Sequence, residues 1–130
     1  MAMDKHSILV VDDRPTLAVL SSIMSREGYE FFFAENGPMA IPIVASRSVD
    51  LVFLNVALLG ENGIDVLVEM KRVKPDIPVI MVSPREDERR MHQAFENGAF
   101  SFLVKPIDPI GLKCVARKAL KLSQLAAMPP

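Results

Sequence analysis

The feature that most constrains this chain is an alternation. Five short apolar runs, at 7–11, 30–34, 51–54, 78–82 and 101–104, are each followed by a stretch whose apolar positions recur at helical spacing. A strand with one wetted face alternates apolar and polar residues. A strand apolar throughout is covered on both faces, which is the situation of a parallel sheet between two layers of helix. Five such strands, each followed by a helix, predict a doubly wound α/β domain. The phenylalanines of "EFFFA" are then explained by cover on both faces of their strand, and no aromatic binding box is needed.

The spacing predicts helices over 15–28, 38–46, 63–75, 87–97 and 109–125. Pro15 is tolerated at a first helical position, and Gly28 marks a stop. Leu17, Leu20, Ile23 and Met24 form the apolar face of the first helix. Pro42 lies inside the second, which should therefore start late, kink or form poorly. Met91, Ala94 and Phe95 share a face of the fourth helix, with Gly98 as its stop. The domain is read as 5–125, with 126–130 as a tail or the start of a linker.

At 130 residues the chain suits one domain with a proper core. A net charge of -1 and a pI near 6.1, without a basic stripe, argue against nucleic acid as the partner of this domain. No apolar run reaches the roughly 18 residues that would suggest a membrane span. "MAMDKHS" lacks the apolar core of a signal peptide. The lone Cys114 cannot form an internal disulfide, so a reducing cytoplasm is the expected location. Cys114 itself reads as a small packing residue of the last helix. His6 and His92 fall in unrelated elements and read as surface residues.

In doubly wound sheets, ligands bind beyond the carboxyl ends of the strands. Here those ends carry Asp12 and Asp13, Asn55, Ser83, and Lys105 followed by Pro106. Taken singly, an Asp pair is most simply a helix cap and turn, Ser83 a cap, and Lys105 a solvated charge. Their joint placement at successive strand ends is hard to explain by turn chemistry.

The segments "ILVVDDRP", "DLVFLNVALLGENGIDVL", "PVIMVS" and "GAFSFLVKP" resemble the receiver domain of response regulators in two-component and phosphorelay signalling. The resemblance runs over residues 5–122 in order and spacing. It implies a flavodoxin-like, five-stranded sheet of order 2-1-3-4-5, and a non-enzymatic switch with no organic cofactor. In that family the tip of the third strand carries the aspartate that accepts a phosphoryl group from a histidine kinase. Carried over, the metal positions for Mg2+ are Asp12, Asp13, Asn55 and the backbone carbonyl of Ala57. Ser83 would bond a phosphoryl oxygen and Lys105 would pair with it. Phe102 would turn inward on activation, and the peptide before Pro106 would be cis. The implied partners are a histidine kinase, a phosphotransfer protein or an output domain. A homodimer through the fourth helix, fifth strand and fifth helix is also implied. Lys113, Arg117, Lys118 and Lys121, with the mixed charges of "REDERR" at 85–90, are either a solvated face or part of that contact.

Asn55 departs from the pattern. A carboxylate oxygen is an anionic nucleophile able to form an acyl phosphate, whereas an amide carries no charge and its nitrogen lone pair is delocalised. Asn55 cannot become an aspartyl phosphate. With Asp12, Asp13 and Lys105 it leaves about one net negative charge where three carboxylates would leave about two, weakening Mg2+ by on the order of a few kcal/mol at an effective dielectric near 20. Pro84 is a second departure: it has no N–H to offer a phosphoryl oxygen. Leu59, where the family often has proline, is a third. Two origins are open. The chain is a naturally degenerate pseudo-receiver, which Pro84 favours, or a conventional receiver whose acceptor aspartate was exchanged in the laboratory. A small doubly wound enzyme is the remote alternative. A flavin phosphate would be repelled by "DDRP", and aspartate phosphatases usually space their two carboxylates by one residue, whereas Asp12 and Asp13 are adjacent.

Overall fold

The computed structural model describes residues 6–126 and 128. Lys5, where the domain is predicted to begin, and residues 127, 129 and 130 of the tail lie outside the described residues. The strands are β1 (Ser7–Val11), β2 (Glu30–Ala34), β3 (Leu51–Asn55), a short pair β4 (Ala57–Leu58) and β5 (Glu61–Asn62), β6 (Val79–Ser83) and β7 (Ser101–Val104). The helices are α1 (Arg14–Ile23), α2 (Gly37–Ser46), α3 (Gly63–Val73), α4 (Glu88–Glu96) and α5 (Pro109–Ala126). The main sheet is parallel, in the order β2-β1-β3-β6-β7. That is the predicted 2-1-3-4-5 once the small β4–β5 hairpin is set aside.

Side chains of successive strand residues point to opposite faces, and both faces here are apolar. Leu9, Val11, Val52, Leu54, Val79 and Met81 join the core covered by α2, α3 and α4. Ile8, Val10, Leu51, Phe53, Ile80 and Val82 join the one covered by α1 and α5. The two cores clamp the three central strands and fix where their carboxyl ends emerge.

Several expectations are corrected. The first helix is split: α1 ends at Ile23, a 3-10 turn spans Ser25–Glu27, and Gly28 closes it at φ 71. The second helix starts early rather than late. Asn36 caps it through Met39 N–H, and it runs on past Pro42 to Ser46. Met91, Ala94 and Phe95 share a face of α4 as expected, yet only Ala94 is buried there and Met91 and Phe95 stay 39% and 48% exposed. Cys114 is exposed, since Leu112, Ala116, Ala119 and Leu120 form the buried face of α5. The cover of β2 is partial, as befits an edge strand: Phe31 and Phe32 pack on opposite cores, and the Arg47 and Arg14 guanidiniums lie over Phe32 and Phe33.

Candidate functional site at the carboxyl edge of the sheet

β1 delivers Asp12 to the edge as a buried residue. Asp13 follows as the N-cap of α1, its Oδ1 accepting from Thr16 N–H at 2.8 Å. The carboxyl of Asp13 is held below the ordinary aspartate range, chiefly by the Thr16 hydroxyl and then by the Thr16 N–H; partial burial opposes this and the Lys105 cation adds to it. β3 delivers Asn55, buried at its last position. Directly beyond it, β4 and β5 form the two-residue ladder Ala57↔Asn62 and Leu58↔Glu61, turning at Gly60 with φ 79. Leu59 projects from that turn, 99% exposed.

Gly63 returns the chain beneath the strand tip. A Cβ there would sit 2.1 Å from the Asn55 carbonyl oxygen and 2.7 Å from Val56 Cα, so only glycine fits. Gly63 N–H in turn donates to the Val56 carbonyl at 2.9 Å. The tip of β3 is thus held by the start of α3.

Asn55 uses both ends of its amide. Nδ2 donates to Asp12 Oδ1 at 2.9 Å, and Oδ1 accepts from Ala57 N–H at 2.8 Å. This pairing assigns the amide's orientation: flipped, its oxygen would face a carboxylate oxygen and its hydrogens an N–H. A hydrogen bond to an ionised partner contributes about 1.5–3 kcal/mol. Lys105 Nζ lies 3.3 Å from Asp12 Oδ2 and donates to the buried Thr16 hydroxyl at 2.8 Å. The Lys105–Pro106 peptide is cis, as the resemblance implied.

The β6 end is arranged differently. The Ser83 hydroxyl donates to the Arg85 carbonyl and accepts from Arg85 N–H at 3.3 Å, folding the chain back over the exposed Pro84. Phe102 is partly buried against the core that α3 and α4 cover. A cavity of about 350 Å³ opens between Asp12, Asp13, Arg14, Glu35, Asn55 and the Ala57–Leu59 turn. The structure therefore brings Asp12, Asp13, Asn55 and Lys105 together, while Ser83 keeps its hydrogen bonds local.

Sequence reasoning missed Thr16 and Glu61. Thr16 stands three residues after the capping Asp13, where a hydroxyl points back at the strand ends; that spacing was the available signal. Glu61 accepts from Gly37 N–H at the start of α2, a pairing across loops that no local pattern announces.

The response regulator receiver domain profile matches residues 8–117. The chain is 32% identical over 123 residues to the nitrogen assimilation regulatory protein NtrX of Azorhizobium caulinodans, covering 92% of this chain and 27% of that protein. It is also 32% identical over 121 residues to sporulation initiation phosphotransferase F of Bacillus subtilis, covering 92% of this chain and 98% of that one. The crystal structure of the receiver domain of NtrX from Brucella abortus superposes with a TM-score of 0.81 at 34% identity, over 88% of this chain and 98% of that one. The fold and the site edge define a signalling receiver, and the chain belongs to the response regulator receiver domain family. No described helix is long and apolar enough to cross a membrane.

Receiver domains generally bind Mg2+ at this acidic edge, and the residues present here fit that ion poorly. The amide turns its N–H side, not its oxygen, towards Asp12. Asp12 Oδ1 already accepts from Asp13 N–H at 2.7 Å as well as from Asn55. Mg2+ asks for six oxygens in near-ideal octahedral geometry.

Proposed function

We propose that this receiver works without covalent phosphorylation, as a protein-binding module of a two-component or phosphorelay pathway. The observation that carries the reading is Asn55 at the tip of β3, where its amide is bonded on both sides and offers no anionic oxygen to a phosphoryl donor. Ser83, Pro84, Phe102, Lys105 and Pro106 are proposed to keep the outline of a phosphoryl site without its chemistry. Pro84 supports a site degenerate as found over one in which a single acceptor was exchanged, because it independently lacks a phosphate-binding N–H.

The partner classes are a histidine kinase, a phosphotransfer protein or an output domain. A groove of about 380 Å³ beside Lys105, lined by Pro15, Val19, cis-Pro106 and Ile107, supports docking on the α1 side. The exposed Met91 and Phe95 next to the edge strand β7 support a second contact, through α4, β7 and α5, with another copy.

The test is intact-mass analysis after incubation with acetyl phosphate and Mg2+. The chain is expected to stay unmodified. An acid-stable or acyl-type phosphoryl adduct on it would refute the reading. Asn55→Asp reports on the rest of the site: an adduct there would leave residue 55 as the sole lesion, and none would assign a further loss to Pro84 and its neighbours.

A further inference from the structure

Asp12 is a buried anion, and a second carboxylate from β3 would face it across 2.9 Å, the separation that Asn55 Nδ2 now spans. Two carboxylates so close cannot both stay ionised without a cation between them. We propose that the Asn55 amide takes the place of that cation, and that with Lys105 and Thr16 it forms a self-contained polar clasp that neither needs nor admits a divalent ion. The inference shares Asn55 with the functional reading, but the two fail separately: one is read by phosphoryl mass, the other by ion binding.

The Asp12 Oδ1 and Asn55 Oδ1 atoms beside the tip of β3 are engaged within the protein. Asp12 Oδ1 accepts from Asp13 N–H and from the amide at 2.7 and 2.9 Å. Asp12 Oδ2 is buried without a hydrogen bond, yet the Lys105 ammonium 3.3 Å away compensates its charge. The amide oxygen is engaged by Ala57 N–H, so it could ligate an ion beside Asp12 only by a flip that sets like against like at both ends.

The clasp continues through Thr16. Its hydroxyl, buried on the first turn of α1, accepts from Lys105 at 2.8 Å and so holds the ammonium over Asp12. Thr16 is in this sense a positioning residue for Lys105. The chain of contacts joins β3, β1, α1 and the segment after β7. In a metal-dependent receiver, an ion and its waters would do the joining.

The decisive measurement is an NMR titration of the isotope-labelled chain with Mg2+, and with Mn2+ as a paramagnetic probe, alongside thermal melts. The chain is expected to show no broadening centred on the Asp12, Asp13 and Asn55 amides at sub-millimolar Mn2+, and the same melting temperature with and without Mg2+. Asn55→Asp should melt lower without the ion and recover with it, binding Mg2+ tighter by on the order of a hundredfold. Mg2+ affinity of the unmodified chain within about tenfold of that variant would overturn the clasp. If Asn55→Asp does not fold without an ion, the Mn2+ experiment on the unmodified chain decides alone: site-centred broadening overturns the proposal and its absence supports it. Thr16→Val should shift the Lys105 side-chain resonances and leave the chain blind to Mg2+. An unmoved Lys105 would remove Thr16 from the clasp.

Discussion

On the β1–β3 side of the carboxyl edge, side chains from distant parts of the chain hold one another: Asn55 donates to Asp12 across 43 positions, and Lys105 to Thr16 across 89. On the β6 side, Ser83 exchanges hydrogen bonds only with Arg85, two residues away. The backbone does join the two regions, since Lys105 N–H donates to the Ser83 carbonyl at 2.8 Å, but among the described residues no side-chain bond does. The β1–β3 half of this edge is thus a tertiary fastening and the β6 half a local turn. The first should therefore matter to the fold, and the second should be replaceable.

The comparison breaks most severely at Gly63, which lets α3 start directly beneath the tip of β3. Gly63→Ala places a methyl into the Asn55 carbonyl, and the expected loss is on the order of 3–5 kcal/mol, measured by urea unfolding. Asp12→Ala and Ser83→Ala then sharpen the contrast. Removing Asp12 leaves the Lys105 ammonium and the Asn55 amide without their anion, and should cost about 2–4 kcal/mol. Removing the Ser83 hydroxyl should cost about 1 kcal/mol and leave the Asn55 side-chain amide signals in place. Equal costs for the two would erase the distinction.

The smallest effect is that of pH on Asp13. Its carboxyl titrates below the unfolded value because Thr16 favours the charged form. A group depressed in the folded state adds stability above the unfolded carboxylate range, and that stability is lost as pH falls from about 4 through the lowered value. Asp13→Asn keeps a capping oxygen without the charge. Between neutral pH and about pH 3 its unfolding free energy should fall less steeply than that of the parent chain.

The sheet was legible because parallel strands covered on both faces are apolar at every position, and each of the five runs became a strand of the main sheet. The convergence of Asp12, Asn55 and Lys105 followed from the same regularity, since strand ends in a parallel sheet share an edge. The β4–β5 hairpin escaped notice, because two-residue strands are too short to carry a period. Met91, Ala94 and Phe95 were rightly placed on one face of α4, but periodicity reports which residues share a face and not how deeply that face sinks. Cys114 was misplaced because cysteine's usual preference for burial says nothing about the side of α5 on which it falls. The donor and acceptor ends of Asn55 were beyond the sequence altogether, for they depend on which atoms two distant loops present.

Gly37 has so little room that an added Cβ would lie 2.9 Å from Val66 Cγ2 and 3.0 Å from Glu61 Oε2, while its N–H is held by that same Glu61 carboxylate. A larger residue at 37 would press on the group that anchors it, and a shorter residue at 61 would open the space but release the anchor. A residue larger than glycine at 37 therefore needs both Val66 and the Glu61 carboxylate to give way, and Gly37→Ala is expected to loosen the start of α2 from the β4–β5 hairpin.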